Sequence, residues 1–140
     1  MTEGLTDLGE LRILVVDDLV DAATSLSYLL QGLGCKTAVA FGGEMGLRVT
    51  TLFQPDLVFL DLHMPGHDGC EILAQARQTE GRVANAVFVC LTGAATAEQE
   101  QRCLSAGFDY FVRKPMEPDA LGQLLLAACQ RKASHAAGLP

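Results

Sequence analysis

The segment RILVVDD, residues 12–18, joins an uninterrupted apolar run to a pair of aspartates. Two further segments carry a similar apolar run, DLVFLD at 56–61 and AVFVCLT at 86–92. Continuous apolar runs rich in β-branched residues are typical of strands that are buried on both faces, as in a parallel sheet. Shorter runs, TAVA at 37–40 and DYFVR at 109–113, bring the number of predicted strands to five.

Stretches with helical spacing of apolar residues alternate with these strands, and each predicts one buried stripe. The stripes are Ala22, Leu26, Leu29, Leu30 and Leu33; Met45, Val49, Leu52 and Phe53; Ile72, Leu73 and Ala76; and Leu121, Leu124, Leu125 and Ala128. A fifth, weaker helix is predicted over 96–106, with Thr96 as its N-cap and Gly107 as its stop. The alternation predicts a doubly wound α/β fold with a five-stranded parallel sheet and five helices.

The bulk composition fits a single domain and excludes several classes of partner. The chain has 140 residues, with 1–10 and 132–140 predicted as flexible ends around a domain at 11–131. A net charge of −7 with ten Lys and Arg disfavours binding to nucleic acid or to an anionic membrane. No apolar run approaches the ~18 residues of a membrane span. Five scattered cysteines without a CxxC pair favour a reducing compartment, so we expect a cytoplasmic protein.

Polar residues with complementary chemistry end four of the five predicted strands. They are Asp17 and Asp18, then Asp61, Thr92 and Lys114. Ligands bind beyond the carboxyl ends of the strands in open parallel sheets, so we expect these side chains to share one pocket. Three crowded carboxylates favour a divalent cation, and Mg²⁺ suits an all-oxygen site. One carboxylate could then attack phosphorus and form an aspartyl phosphate, with catalysis by positioning and charge neutralisation.

Four motifs in this order resemble the receiver domain of bacterial two-component response regulators. They are VVDD (15–18), FLDLHMPGHDG (59–69), LTG (91–93) and FVRKP (111–115). The resemblance covers nearly the whole chain, and residues 16–35 are also similar to receivers associated with hybrid sensor histidine kinases. It implies the flavodoxin-like strand order 2-1-3-4-5.

The resemblance also implies a role for each matching residue. Asp61 would be the phosphoacceptor. Mg²⁺ would be bound by Asp17, Asp18 and Asp61 and by the backbone carbonyl of His63. The phosphoryl oxygens would be bound by the Lys114 ammonium, the Thr92 hydroxyl and the backbone N–H groups of Met64 and Gly93. Thr92 and Phe111 would form a conformational switch, and the Lys114–Pro115 peptide bond would be cis.

The implied function is signalling by a phosphoacceptor that is not an enzyme and that promotes only its own phosphorylation and dephosphorylation. The phosphoryl group would come from a histidine kinase or a histidine phosphotransfer protein. Phosphorylation would then change the conformation of the 93–131 face so that it binds a partner or a second copy of the chain. Alternatively, the phosphate would be relayed onward. Alternatives are an aspartyl-phosphate phosphohydrolase, disfavoured by an adjacent DD in place of DxD, and a degenerate receiver that acts as a binding scaffold. The Met1 start favours a free-standing protein over a piece of a hybrid kinase.

Overall fold

A five-stranded parallel sheet organises the chain in the computed structural model, which describes residues 8–64, 67–136 and 138. The strands are β1 (Arg12–Val16), β2 (Lys36–Ala40), β3 (Leu57–Leu60), β4 (Val87–Thr92) and β5 (Tyr110–Arg113). They are arranged in the order β2-β1-β3-β4-β5, and every neighbouring pair is parallel. The predicted fold class and strand order are therefore confirmed.

Five helices cover the two faces of this sheet. They are α1 (Val20–Gly32), α2 (Gly43–Phe53), α3 (Gly69–Gln78), α4 (Ala97–Ala106) and α5 (Pro118–Ala136). Single 3₁₀ turns occupy Leu8–Glu10 and Arg82–Asn85, and a short antiparallel ladder pairs His63–Met64 with His67–Asp68. No helix in the described part of the chain is long and apolar enough to cross a membrane.

The carboxyl-terminal helix is longer than the sequence pattern predicts. It continues to Ala136, so the segment 132–140, predicted as a flexible tail, begins inside α5. Near its end the Lys132 ammonium lies 3.1 Å from a carboxylate oxygen of Asp56, a contact that ties the helix to the amino edge of the sheet. The ends at 1–7, 137, 139 and 140 lie outside the described residues.

Side chains of the central strands alternate between two apolar layers. Ile13 and Val15 of β1 face the layer that includes α1 and α5, whereas Leu14 and Val16 face the layer that includes α3 and α4. All four are at most 2 % exposed. This burial on both faces explains why the strands are continuous apolar runs in the sequence.

The stripe predicted for α2 is wrong at Met45 and Leu52, which are 44 % and 78 % exposed. Gly46 and Thr50 are buried instead. A Cβ on Gly46 would lie 2.9 Å from Cγ1 of Val16, so this helix approaches the sheet too closely for a larger side chain at its centre. The stripes predicted for α3 and α5 are buried as expected.

The boundaries predicted for α4 are confirmed by its capping contacts. The Thr96 hydroxyl accepts a hydrogen bond from the backbone N–H of Gln99, and the Gln99 side chain accepts one from the backbone N–H of Thr96. Gly107 ends the helix with a φ of 115°, in the left-handed region that glycine adopts most easily. This reciprocal capping fixes the start of α4 a few residues beyond Thr92.

Asp109 is expected to dominate the acid limb of the stability curve. Burial alone would raise the pKa of its carboxyl, but hydrogen bonds from Arg131 and the Phe88 N–H, with the Arg131 and Arg77 charges, lower it overall. A lowered folded-state pKa stabilises the protein fully above the unfolded value of about 3.9, and this contribution is lost as pH falls through the folded value. Urea unfolding measured at a series of pH values should show that the free energy of unfolding falls steeply at acid pH in the wild type. The fall should be less steep in Asp109→Asn.

At neutral pH the same variant should lose on the order of 2–3 kcal/mol, since hydrogen bonds to charged groups are among the stronger ones. Asp119→Asn, in the exposed first turn of α5, is the matched control and should follow the wild type at every pH. An unchanged acid limb in Asp109→Asn would show that the Arg77 and Arg131 pairs contribute nothing to stability.

Candidate functional site

Backbone pairing at the carboxyl edge of the sheet brings three aspartates together. The backbone N–H of Asp61 donates to the Val16 carbonyl at 3.0 Å, which sets the end of β3 beside the end of β1. Carboxylate oxygens of Asp17, Asp18 and Asp61 lie within 4.8 Å of one another. Asp17 and Asp61 are buried, at 4 % and 7 % exposure, and Asp18 is half-buried. The convergence expected from the strand ends is present.

Lys114 enters the same pocket from the end of β5. Its backbone N–H donates to the Thr92 carbonyl at 2.9 Å, and its peptide bond to Pro115 is cis, as the resemblance implied. The ammonium lies 2.6 Å from Asp17 Oδ2 and 3.9 Å from Asp61 Oδ2. Asp17 is thus the main partner of Lys114 in this conformation, and the outer oxygen of Asp61 is only loosely paired.

The pocket carries more negative charge than its lysine can balance. Burial raises the pKa of the Asp61 carboxyl, and the nearby Asp17 adds to this rise. The His63 N–H, which donates to Asp61 Oδ1 at 3.1 Å, and the Lys114 charge act in the opposite direction without cancelling it. Three close carboxylates and one ammonium are a donor set that fits a divalent cation with oxygen ligands, such as Mg²⁺.

Thr92 places a buried hydroxyl at the end of β4, next to this charge cluster. The residue is 1 % exposed, and its Oγ1 has no hydrogen-bond partner among the described residues. A buried polar atom without a partner is unusual and costs stability. Gly93 follows directly, and a Cβ built on it would meet no atom within 4 Å. The fourth strand therefore ends in an unused hydrogen-bond donor beside open space.

The two loops that flank the pocket are joined by a histidine side chain. His63, in the loop after β3, is exposed, and its ring Nε2 lies 2.6 Å from the Ala94 carbonyl oxygen in the loop after β4. Met64, the next residue, is buried at 6 % exposure within the short ladder. Phe111 on β5 is half-buried and packs against the layer that contains α4.

An apolar cleft of about 780 Å³ runs between α1 and α5 and opens at the aspartate pocket. Its lining includes Leu29 and Leu33 of α1, which are 52 % and 43 % exposed. These two leucines belong to the stripe predicted as core, and for them the prediction is wrong, because α1 and α5 leave a gap instead of closing over the sheet. Gly122 of α5 also lines the cleft.

Sequence reasoning missed one residue next to the pocket, Arg113. Its guanidinium donates to the Ala95 carbonyl at 2.7 Å and lies 3.3 Å from a carboxylate oxygen of Glu100 on α4. It also lies 5.4 Å from the centroid of the Phe111 ring. The only signal in the sequence is its position immediately before Lys114, which by itself indicates an ordinary surface arginine.

Comparison with known proteins agrees with this fold. Residues 13–126 match the family model of the response regulator receiver domain. Among curated proteins, the DNA-binding response regulator MtrA of Mycolicibacterium paratuberculosis is 34 % identical over 120 residues, which cover 86 % of this chain and 52 % of MtrA. The virulence sensor protein BvgS of Bordetella bronchiseptica is 35 % identical over 127 residues, 88 % of this chain and 10 % of BvgS. The chain therefore spans about half of one relative and a tenth of the other.

Solved structures give the same result. A CheY-like response regulator receiver domain protein from Methanospirillum hungatei superposes with a TM-score of 0.79 at 26 % identity, over 89 % of this chain and 98 % of that one. A response regulator receiver domain protein from Clostridium thermocellum also gives 0.79 at 26 % identity, over 88 % and 97 %. The fold and site define a phosphoaccepting signalling domain. The chain belongs to the receiver domain family of two-component response regulators.

Proposed function

We propose that this chain accepts a phosphoryl group on Asp61 with Mg²⁺ and uses it to switch the 93–131 face. The observation that carries the proposal is the meeting of Asp61, the Asp17–Asp18 pair, Lys114 and the unpartnered Thr92 hydroxyl at one edge of the sheet. Family membership gives the class of reaction, and this geometry supports the role that we propose for each residue. We also propose that the protein works in the cytoplasm, as a phosphoacceptor without turnover of other substrates.

Each residue of the pocket has a distinct task in this proposal. Asp17, Asp18 and Asp61, with the His63 carbonyl, would hold the cation, which supplies charge neutralisation at the phosphoryl oxygens. Asp61 Oδ2 would attack phosphorus and displace the imidazole nitrogen of the donor phosphohistidine, because Oδ1 already accepts the His63 N–H. Lys114 moves from Asp17 to the new phosphoryl oxygens, and the Met64 and Gly93 N–H groups contact the others. Most of the rate enhancement in such a transfer comes from positioning and charge.

We base the switch on the Thr92 hydroxyl, which has no hydrogen-bond partner in the part of the chain that the structure describes. A phosphoryl group on Asp61 offers Thr92 Oγ1 an acceptor, so the loop after β4 is drawn toward the site. Phe111, half-buried behind that loop, then fills the vacated space. A ligand shifts a conformational equilibrium only through contacts that differ between the two states, and this hydrogen bond is one such contact. The remodelled surface comprises α4, β5 and α5, where a partner or a second copy would bind.

The phosphodonor is proposed to be a histidine kinase or a histidine phosphotransfer protein. A donor histidine must approach Asp61 from outside the sheet edge, and the α1–α5 cleft extends from there along α1 to the exposed Leu29 and Leu33 near its other end. A donor helix with an apolar stripe would bury these leucines while presenting its phosphohistidine to Asp61. The net charge of −7 gives no basic surface for a nucleic-acid partner.

The direct test is phosphorylation of the purified chain by acetyl phosphate with Mg²⁺. We expect the intact mass to increase by one phosphoryl group and no labelling in EDTA, because three carboxylates repel the incoming anion without the cation. Labelling that proceeds equally well in EDTA would contradict the assigned metal site.

A further inference from the structure

Arg113 contacts three separate parts of the proposed switch at once. Its guanidinium donates to the Ala95 carbonyl at 2.7 Å, in the loop between Thr92 and α4. The same group pairs with Glu100 on α4 at 3.3 Å and lies over the Phe111 ring, 5.4 Å from its centroid. None of the roles proposed above involves this residue.

The loop after Thr92 is held by side chains at two successive carbonyls. Arg113 binds the Ala95 carbonyl, and the His63 ring lies 2.6 Å from the Ala94 carbonyl oxygen. The two donors come from opposite sides, one from β5 and one from the loop after β3. Hydrogen bonds of this length have little slack, since they weaken steeply beyond about 3.2–3.5 Å. Movement of residues 93–95 with Thr92 toward Asp61 would lengthen the Arg113 contact, because Arg113 lies on the β5 side of the loop.

We propose that Arg113 is a positioning residue that stabilises the unphosphorylated conformation, by clamping the 93–95 loop to α4 and to Phe111. The conformation described here has Lys114 paired with Asp17 at 2.6 Å, which is the arrangement that the proposed function assigns to the protein before phosphorylation. Contacts made in that state alone oppose the switch. Arg113 thus sets how much of the free energy of phosphoryl binding is needed to rearrange the 93–95 loop. The inference rests on the proposed function of Asp61 and Thr92.

The direction of the effect follows from population-shift arithmetic. Removing a contact that exists only in the resting state raises the population of the competent state, and a ligand that selects that state then binds more tightly. The ion pair is half-exposed and contributes little by itself. The carbonyl hydrogen bond is the main loss, so we expect a change of about two- to tenfold.

The test is a beryllofluoride titration with Mg²⁺, followed by backbone NMR. Arg113→Ala should bind this phosphoryl mimic about two- to tenfold more tightly than wild type. In the free variant, resonances of 92–106 should already lie partway along the line toward their liganded positions. Loss of a merely structural contact would not move resonances along that line or tighten binding. Arg113→Lys, which keeps one donor, should recover part of the wild-type affinity.

Arg102→Ala is the matched control, because Arg102 is an exposed arginine of α4 without a hydrogen bond or ion pair in the described residues. It should bind beryllofluoride like wild type. Equal or weaker binding in Arg113→Ala than in Arg102→Ala would overturn the proposal. If Arg113→Ala does not fold, Arg113→Lys must still bind beryllofluoride more tightly than Arg102→Ala, or the proposal fails. Absence of binding in wild type would refute the proposed function itself, and this inference with it.

Discussion

Asp61→Asn is expected to abolish phosphorylation of the chain completely. Among the three clustered carboxylates, Asp17 uses one oxygen for the Lys114 ammonium at 2.6 Å and the other for the Leu19 N–H at 3.0 Å. Asp61 keeps its Oδ2 loosely paired, 3.9 Å from Lys114, and is the carboxylate that we propose as the nucleophile. An amide cannot replace it as the nucleophile. After treatment with acetyl phosphate and Mg²⁺, the intact mass of the variant should be unchanged.

The control for this experiment is Asp119→Asn, which removes an exposed carboxylate from the first turn of α5. It should gain one phosphoryl group at the wild-type rate. Labelling of Asp61→Asn at the wild-type level would mean that another residue accepts the phosphoryl group. A wild-type protein that takes up no phosphoryl group, from acetyl phosphate or from a histidine kinase, would support the scaffold alternative.

The strands and the pocket were the most predictable parts of this chain. A strand buried on both faces needs an uninterrupted apolar run, and such a run can be recognised in the sequence alone. The segments RILVV and VFVCLT form β1 and β4. Parallel strands then present their carboxyl ends at one edge, so Asp17, Asp61 and Thr92 had to be neighbours. The capping residues of α4 were equally predictable, because an N-cap residue and a C-terminal glycine act on the neighbouring backbone.

The helix faces and the charge pairs were less predictable, since they depend on partners far away in sequence. Periodicity marks Leu29 and Leu33 as apolar, but cannot show that α1 and α5 leave a cleft between them. It also assigns Leu52 to the core, but α2 packs on the sheet through Gly46 and leaves the Leu52 side chain exposed. The pairing of Asp56 with Lys132 spans 76 positions and leaves no local pattern. For the same reason, Arg113 looked like any surface arginine.

The structure assigns different energetic roles to the three site aspartates. Asp17 and Asp61 each accept a hydrogen bond from the backbone, so they are part of the local fold as well as of the proposed cation site. Asp18 forms no hydrogen bond or ion pair within the described residues and is half-buried. It adds charge to the aspartate cluster and would supply a ligand oxygen to a cation, but it makes no structural contact in the described part of the chain. Asp18 is therefore the position at which metal binding can be changed with the least disturbance to the fold.

Asp18→Asn is expected to change stability in opposite directions with and without Mg²⁺. In EDTA the variant should be more stable by on the order of 1 kcal/mol, because one of three mutually repelling charges is gone at a partly solvated site. With Mg²⁺ present, the wild type gains stability from binding, and each tenfold difference in affinity is worth about 1.4 kcal/mol. We expect affinity to fall by at least about tenfold, since even substitutions behind the ligands usually cost that much.

Urea melts of both proteins in EDTA and across a Mg²⁺ titration measure both effects. The two stability curves should cross, with the variant above at low Mg²⁺ and the wild type above once the wild-type site is saturated. Asp21→Asn, in the exposed first turn of α1, is the matched control and should show no crossing. A variant that is less stable than wild type in EDTA would mean that Asp18 has a structural role. Equal stabilisation of both proteins by Mg²⁺ would mean that Asp18 is not a ligand of the cation and that the remaining carboxylates hold the ion.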